Sequence, residues 1–185
     1  MIERRGFMAT ENEQDKTLEA LQIAIQMEID GKQFYLKAGK ESSNELGKKL
    51  LQSLAGEEDI HRQKFVEIYD SIRNKKTWPV IDFQPDGGKT LRTVFAKATE
   101  EIGTSIKTAD NEMDAIETAM DMENKSYDFY QSQSRRTSYE TERDFYETVA
   151  AEEREHHMIL LDYYEFLRDP AGWFVKKERP SLDGG

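Results

Sequence analysis

Displaced by 95 residues, the chain overlies itself at a sparse set of positions that surface composition does not explain. Ala24 falls on Ala119, Met27 on Met122, Glu28 on Glu123, and Phe34-Tyr35 on Phe129-Tyr130. Further along, Ala55 meets Ala150, Glu57-Glu58 meets Glu152-Glu153, His61 meets His156 and Tyr69 meets Tyr164. Most solvent-type positions between them differ. Shared small, aromatic, Glu and His residues indicate a duplicated unit whose common constraint is internal. Two unrelated amphipathic helices would share apolar spacing, but not glutamates and histidines.

The prolines delimit the two copies. Pro79, Pro85, Pro170 and Pro180 leave two long proline-free blocks, one up to Trp78 and one from Asp86 to Asp169, and both can be helical. Each block breaks once, at Lys40–Asn44 and near Ser134–Ser138. Ser42 with Glu45, and Thr137 with Glu140, have the form of capping boxes and predict the helix starts after those breaks. Strand-like alternation is absent. Between the blocks, Thr77–Gly88 reads as irregular connection, followed by an amphipathic piece at Leu91, Val94, Phe95, Ala98 and Ile102. The expected fold is an all-α four-helix bundle of two antiparallel hairpins over residues 15–168, with a long crossover, 75–109, containing a short helix. Residues 1–14 read as a flexible N-terminal tail and 169–185 as a C-terminal tail, with Trp78, Trp173 and Phe174 docking crossover and tail onto the bundle. A long link between two hairpins is the connectivity of ferritin-like bundles.

Several charges lie on the wrong face for surface residues. Leu51, Leu54, Glu58, His61, Phe65, Ile68 and Ile72 step by threes and fours along the inward seam of the second helix. The fourth repeats it with Tyr146, Val149, Glu153, His156, Leu160, Tyr163 and Leu167. Glu28 and Glu123 occupy the corresponding stripes of the first and third. Glu28 and Glu58 are each 15 residues from the turn near Ser43, so they stand level; Glu123, Ser138 and Glu153 repeat the arrangement. Both pairs then sit roughly 22 Å from their turns, at about 1.5 Å per residue. His61 and His156 follow their glutamates by about one turn on the same side.

Four buried carboxylates at one level require a strong compensating charge. Metal ions supply it. One Glu from each of two helices and Glu-x-x-His from each of the other two is the ligand pattern of dinuclear carboxylate bundles. Glu57 and Glu152 lie off the apolar seam and read as solvated, or as touching the histidines from outside the ligand set.

The pairs Glu28-x6-Tyr35 with Glu58-x-x-His61, and Glu123-x6-Tyr130 with Glu153-x-x-His156, resemble the rubrerythrin branch of the ferritin-like superfamily, over roughly residues 17–168. The resemblance implies a non-haem di-iron centre, two Fe ions per chain, with Glu58 and Glu153 bridging and Glu28 and Glu123 terminal. It further implies that His61 and His156 each cap one iron and that Tyr35 and Tyr130 hydrogen-bond to ligand carboxylates. Two departures stand out. The sequence has no cysteine, hence no rubredoxin-like iron domain. Ser126, like Gly31, stands where full rubrerythrins carry an extra glutamate, leaving a symmetric set of six ligands.

Hard carboxylates with two imidazoles suit iron or manganese over thiolate-preferring ions, and availability decides between the two. The expected function is reduction of peroxide or dioxygen, or oxidation of Fe(II), with an external electron donor, in oxidative-stress defence and iron handling. Iron storage or delivery of bacterioferritin type and a dimanganese catalase-like site are the competing readings. A net charge of −11 excludes nucleic acid and anionic membrane surfaces as partners. No apolar run approaches the roughly 20 residues of a membrane span, and no apolar segment follows the N-terminal arginines to make a signal peptide. A soluble, cytoplasmic homodimer is expected.

Overall fold

The computed structural model describes residues 11–75, 77–106 and 110–178. Among these are six helices and no strand: α1 (Glu11–Glu41), α2 (Glu45–Lys75), α3 (Lys89–Ile102), α4 (Asp110–Arg136), α5 (Glu140–Arg168) and α6 (Pro170–Glu178). Helices α1 and α2 pack closely as one antiparallel hairpin, and α4 and α5 as the other. This is the expected all-α, ferritin-like arrangement. Residues 1–10 of the expected N-terminal tail and 179–185 of the C-terminal one lie outside the described residues.

The polypeptide path follows from where each helix ends. Ile72, near the end of α2, belongs to the same apolar cluster as Leu21 and Val149. Ile116, near the start of α4, belongs to the cluster of Leu50 and Leu160 at the opposite end. The link must therefore travel the length of the bundle, and α3 packs on α2 and α5 as it does so. Leu91, Phe95, Ala98 and Thr99 are its buried face. Gly88 takes a left-handed conformation (φ 73°) where a Cβ would also stand 3.2 Å from that of Glu155, so a side chain is disfavoured twice there. Asp86 Oδ2 accepts the Thr90 N–H at 3.0 Å and so caps the first turn of α3. At the other end, the N–H of Gly103 (φ 61°) bonds back to Thr99 O at 2.9 Å, as a glycine after a helix end does.

The helix starts differ from the capping boxes expected. Asn44 opens α2: its Oδ1 accepts the N–H of Gly47 at 2.8 Å. Ser42 instead donates to Glu112 of α4 at 2.5 Å, and Glu45 pairs with Lys48. At α5, Tyr139 is the N-cap residue without a side-chain bond, and Thr137 donates to Glu142, not Glu140, at 2.8 Å. In both places the hydroxyl goes to a buried carboxylate outside the expected capping box, and that bond outcompetes the local cap. The stretch expected as a C-terminal tail carries α6. Asp169 caps it, accepting the N–H of Gly172 at 3.0 Å, and Pro170 takes the first helical position, where a missing N–H costs nothing. Trp173 docks it, edge-on to Phe95 and Phe166 at 5.5 and 5.3 Å.

The core is two apolar clusters, one at each end, with a polar layer between. One holds Leu46, Leu50, Leu54, Leu160 and Phe166; the other holds Leu21, Phe65, Ile68, Phe145 and Tyr146. Trp78 of the crossover covers Phe145 and Tyr146 in the second.

Candidate metal centre

The polar layer consists of Glu28 from α1, Glu58 and His61 from α2, Glu123 from α4, and Glu153 and His156 from α5. None is more than 4 % exposed. Their ligand atoms fall into two groups, Glu28, Glu58, His61 and Glu153 in one and Glu58, Glu123, Glu153 and His156 in the other, with atoms inside each group within 4.8 Å of one another. Glu58 and Glu153 belong to both.

The histidines cross between hairpins. His61 Nδ1 lies 3.1 Å from Glu153 and 3.5 Å from Glu28; His156 Nδ1 lies 3.2 Å from Glu58 and 3.6 Å from Glu123. Their rings stack at 5.5 Å and 15°. None of these approaches has hydrogen-bond geometry. One oxygen each from Glu28, Glu58, Glu123 and Glu153, and Nδ1 of both histidines, are buried without a hydrogen-bond partner. Such orphaned groups are rare in protein interiors and costly. Here six of them converge, which is what a pair of cations in the two groups requires.

The remaining atoms are tied from outside. Tyr35 donates to Glu123 and Tyr130 to Glu28. Burial first, and then the glutamate charges, keep both phenols protonated far above their ordinary range. His156 Nε2 pairs with Glu57 Oε2 at 2.9 Å, so Glu57 touches the ligand histidine from behind. Glu152, its repeat counterpart, is buried rather than solvated. Gly31 faces the layer closely: a Cβ there would stand 3.3 Å from Glu58 Oε2.

As side chains alone, the six groups shift one another's proton affinities in opposite directions. Burial, then the charges of Glu28 and Glu153, push Glu58 well above the ordinary carboxyl range. Burial, then Glu123 and Glu28, do the same to Glu153. Burial also works to raise Glu28 and Glu123, but contact with Glu58 and His61 in one case, and the charge of His156 in the other, hold them below it. At the histidines burial opposes charge, yet Glu28 at His61 and Glu123 at His156 prevail and raise both. Four carboxylates, two neutral imidazoles and two divalent cations sum to zero charge, which suits a buried layer. The donor set fits such ions in both charge and hardness.

Sequence reasoning missed Glu112. This buried carboxylate accepts from Ser42 and Ser43 hydroxyls at 2.5 and 2.7 Å, Asn44 Nδ2 at 3.0 Å and the Tyr163 hydroxyl at 2.6 Å. The signal that marks it is its spacing to Ile116, Ala119 and Glu123, which puts it on the inward stripe of α4.

An antiparallel pair of helical hairpins joined by a long crossover, with a buried Glu/His cluster able to hold metal between its two apolar halves, defines the class of ferritin-like carboxylate bundles. Within that class the family model for rubrerythrin matches residues 19–164, and the chain belongs to the rubrerythrin family. Comparisons with curated proteins and with solved structures return no match.

Proposed function

We propose that the protein is a non-haem di-iron oxidoreductase of rubrerythrin type that reduces peroxide or dioxygen, or oxidises Fe(II), at the buried six-residue cluster. The observation that carries this reading is the set of six orphaned ligand atoms in two groups sharing Glu58 and Glu153. Glu58 and Glu153 would bridge two ions, Glu28 and Glu123 would each close one side, and His61 and His156 would each cap one. Two iron ions held there supply a two-electron couple. The chain's own part is to position and to insulate. The tyrosine hydroxyls fix the terminal carboxylates, Glu57 fixes His156, and the two apolar clusters keep bulk water from the layer. Peroxide reduction consumes two electrons and two protons and yields two waters. The sequence has no cysteine to hold a rubredoxin-type relay, so the electrons come from an external donor.

Metal analysis of protein from its native host, followed by peroxide turnover of the reduced form, tests the reading. Two iron ions per chain and reductant-dependent turnover are expected. Replacing Glu58 and Glu153 together by Ala should abolish binding of both ions. Retention of both, or oxygen release from peroxide without reductant by a manganese-loaded chain, would overturn the assignment. A hollow cage by light scattering would replace it with iron storage.

A further inference from the structure

The repeat makes Glu57 and Glu152 counterparts, and the structure uses them differently. Glu57 crosses to His156 at 2.9 Å. Glu152 forms no hydrogen bond or ion pair with any described residue, although it is only 4 % exposed, and His61 Nε2 has no hydrogen-bond partner among them either. Both residues line a cavity of about 570 Å³ bounded by α2, α5 and the crossover. Phe83 of the crossover meets the His61 ring edge-on at 5.7 Å, and Arg92, bonded to Glu155, fastens the crossover to α5. The asymmetry has a simple origin, since a duplicated hairpin in one chain has one crossover.

We propose that this cavity is the entrance by which a divalent metal ion reaches the His61 half of the centre, with Glu152 as a transient ligand in its wall. The proposal rests on the dinuclear reading above. Glu57, Asp82, Asp86 and Glu152 contribute four carboxylates to the lining against one ammonium, Lys64, a balance that concentrates cations and turns away anions. Glu152 offers the cavity a carboxylate that no described residue engages, so a passing cation meets a free ligand in the wall. The space suffices: six waters of a hydrated ion occupy roughly 180 Å³ at about 30 Å³ each. His61 forms the inner wall, its Nδ1 facing Glu28 and Glu153 while its ring borders the cavity.

Stopped-flow absorption of Co²⁺ uptake by the metal-free full chain tests this, with final stoichiometry measured separately. Glu152→Gln removes the wall ligand. Gly56→Leu adds bulk to the cavity lining without changing charge, since a Cβ at Gly56 meets nothing within 4 Å. Each should slow loading about tenfold and leave the final stoichiometry at the wild-type value, whereas Glu147→Gln, an exposed acid elsewhere on α5, should not. Wild-type loading rates in both cavity variants would overturn the entrance. Loss of an ion at equilibrium from Glu152→Gln would overturn it in favour of a permanent positioning role for Glu152. A wild-type chain that takes up no cobalt would overturn the dinuclear reading and this inference with it.

Discussion

Tyr35, on α1, gives its hydroxyl hydrogen to Glu123, on α4, the carboxylate of the opposite hairpin and not of its own. Tyr130 returns the bond to Glu28. The tyrosines therefore hold the two hairpins to each other as well as orienting the cluster. Tyr35→Phe or Tyr130→Phe leaves a buried carboxylate oxygen without its donor and should cost about 1.5–3 kcal/mol of stability, read from urea unfolding of the metal-free chain. An unchanged midpoint would mean that the bonds serve orientation alone.

Glu57 fixes the outer nitrogen of His156. Partners of this kind orient a ligand imidazole, and their loss typically weakens metal binding by about 10–100-fold. Glu57→Gln should therefore weaken one of two bound ions and spare the other, splitting a titration calorimetry isotherm that is less separated in the wild type. Equal weakening of both would contradict the one-sided role.

Burial raises the Glu142 carboxyl above its ordinary value, with the Thr137 hydrogen bond only partly opposing it. The folded chain then holds this proton at pH values where the unfolded chain has released it. Stability from this group is thus present below the unfolded pKa and declines as pH rises through the raised one. Glu142→Gln should be more stable than wild type at neutral pH and should lose part of the decline above pH ~4.5. Thermal unfolding across that window checks the sign.

Gly47 lies inside α2, where alanine is favoured by about 1 kcal/mol on propensity alone. The structure predicts the opposite result. A methyl group there would run into Ser42 Oγ, the Tyr163 hydroxyl and Glu112 Oε1, forcing apart the bonds that satisfy a buried carboxylate. Gly47→Ala should destabilise by about 1–3 kcal/mol in chemical denaturation, and a stabilised variant would show that the cluster is slack.

Most of the frame was legible because the repeat constrains the same residues twice. Glu58 and His61 in an apolar seam mean little alone, but Glu153 and His156 at the same displacement mark the interior. What the sequence hid lies where the copies diverge. Ser42 and Thr137 are counterparts and both turn to a buried glutamate, yet the glutamates come from different positions, Glu112 on α4 and Glu142 on α5. Capping boxes describe local competition only, and these tertiary partners won. Likewise Glu57 and Glu152 are equivalent in the repeat, and only the path of the crossover separates their surroundings. A docking helix at Pro170–Glu178 was foreshadowed by Trp173 and Phe174, but nine residues are too short to show a helical period.

Each four-residue group takes members from both hairpins: Glu153 joins Glu28, Glu58 and His61, and Glu58 joins Glu123, Glu153 and His156. An ion bound in either group would therefore latch one hairpin to the other. At a free concentration of 100 times its dissociation constant, each such ion would add about 2.7 kcal/mol to the docked state. The crossover then works as a tether that sets the effective concentration of one half near the other. In that sense the molecule is a two-part assembly carried on one chain, with its fastening in the buried Glu/His layer.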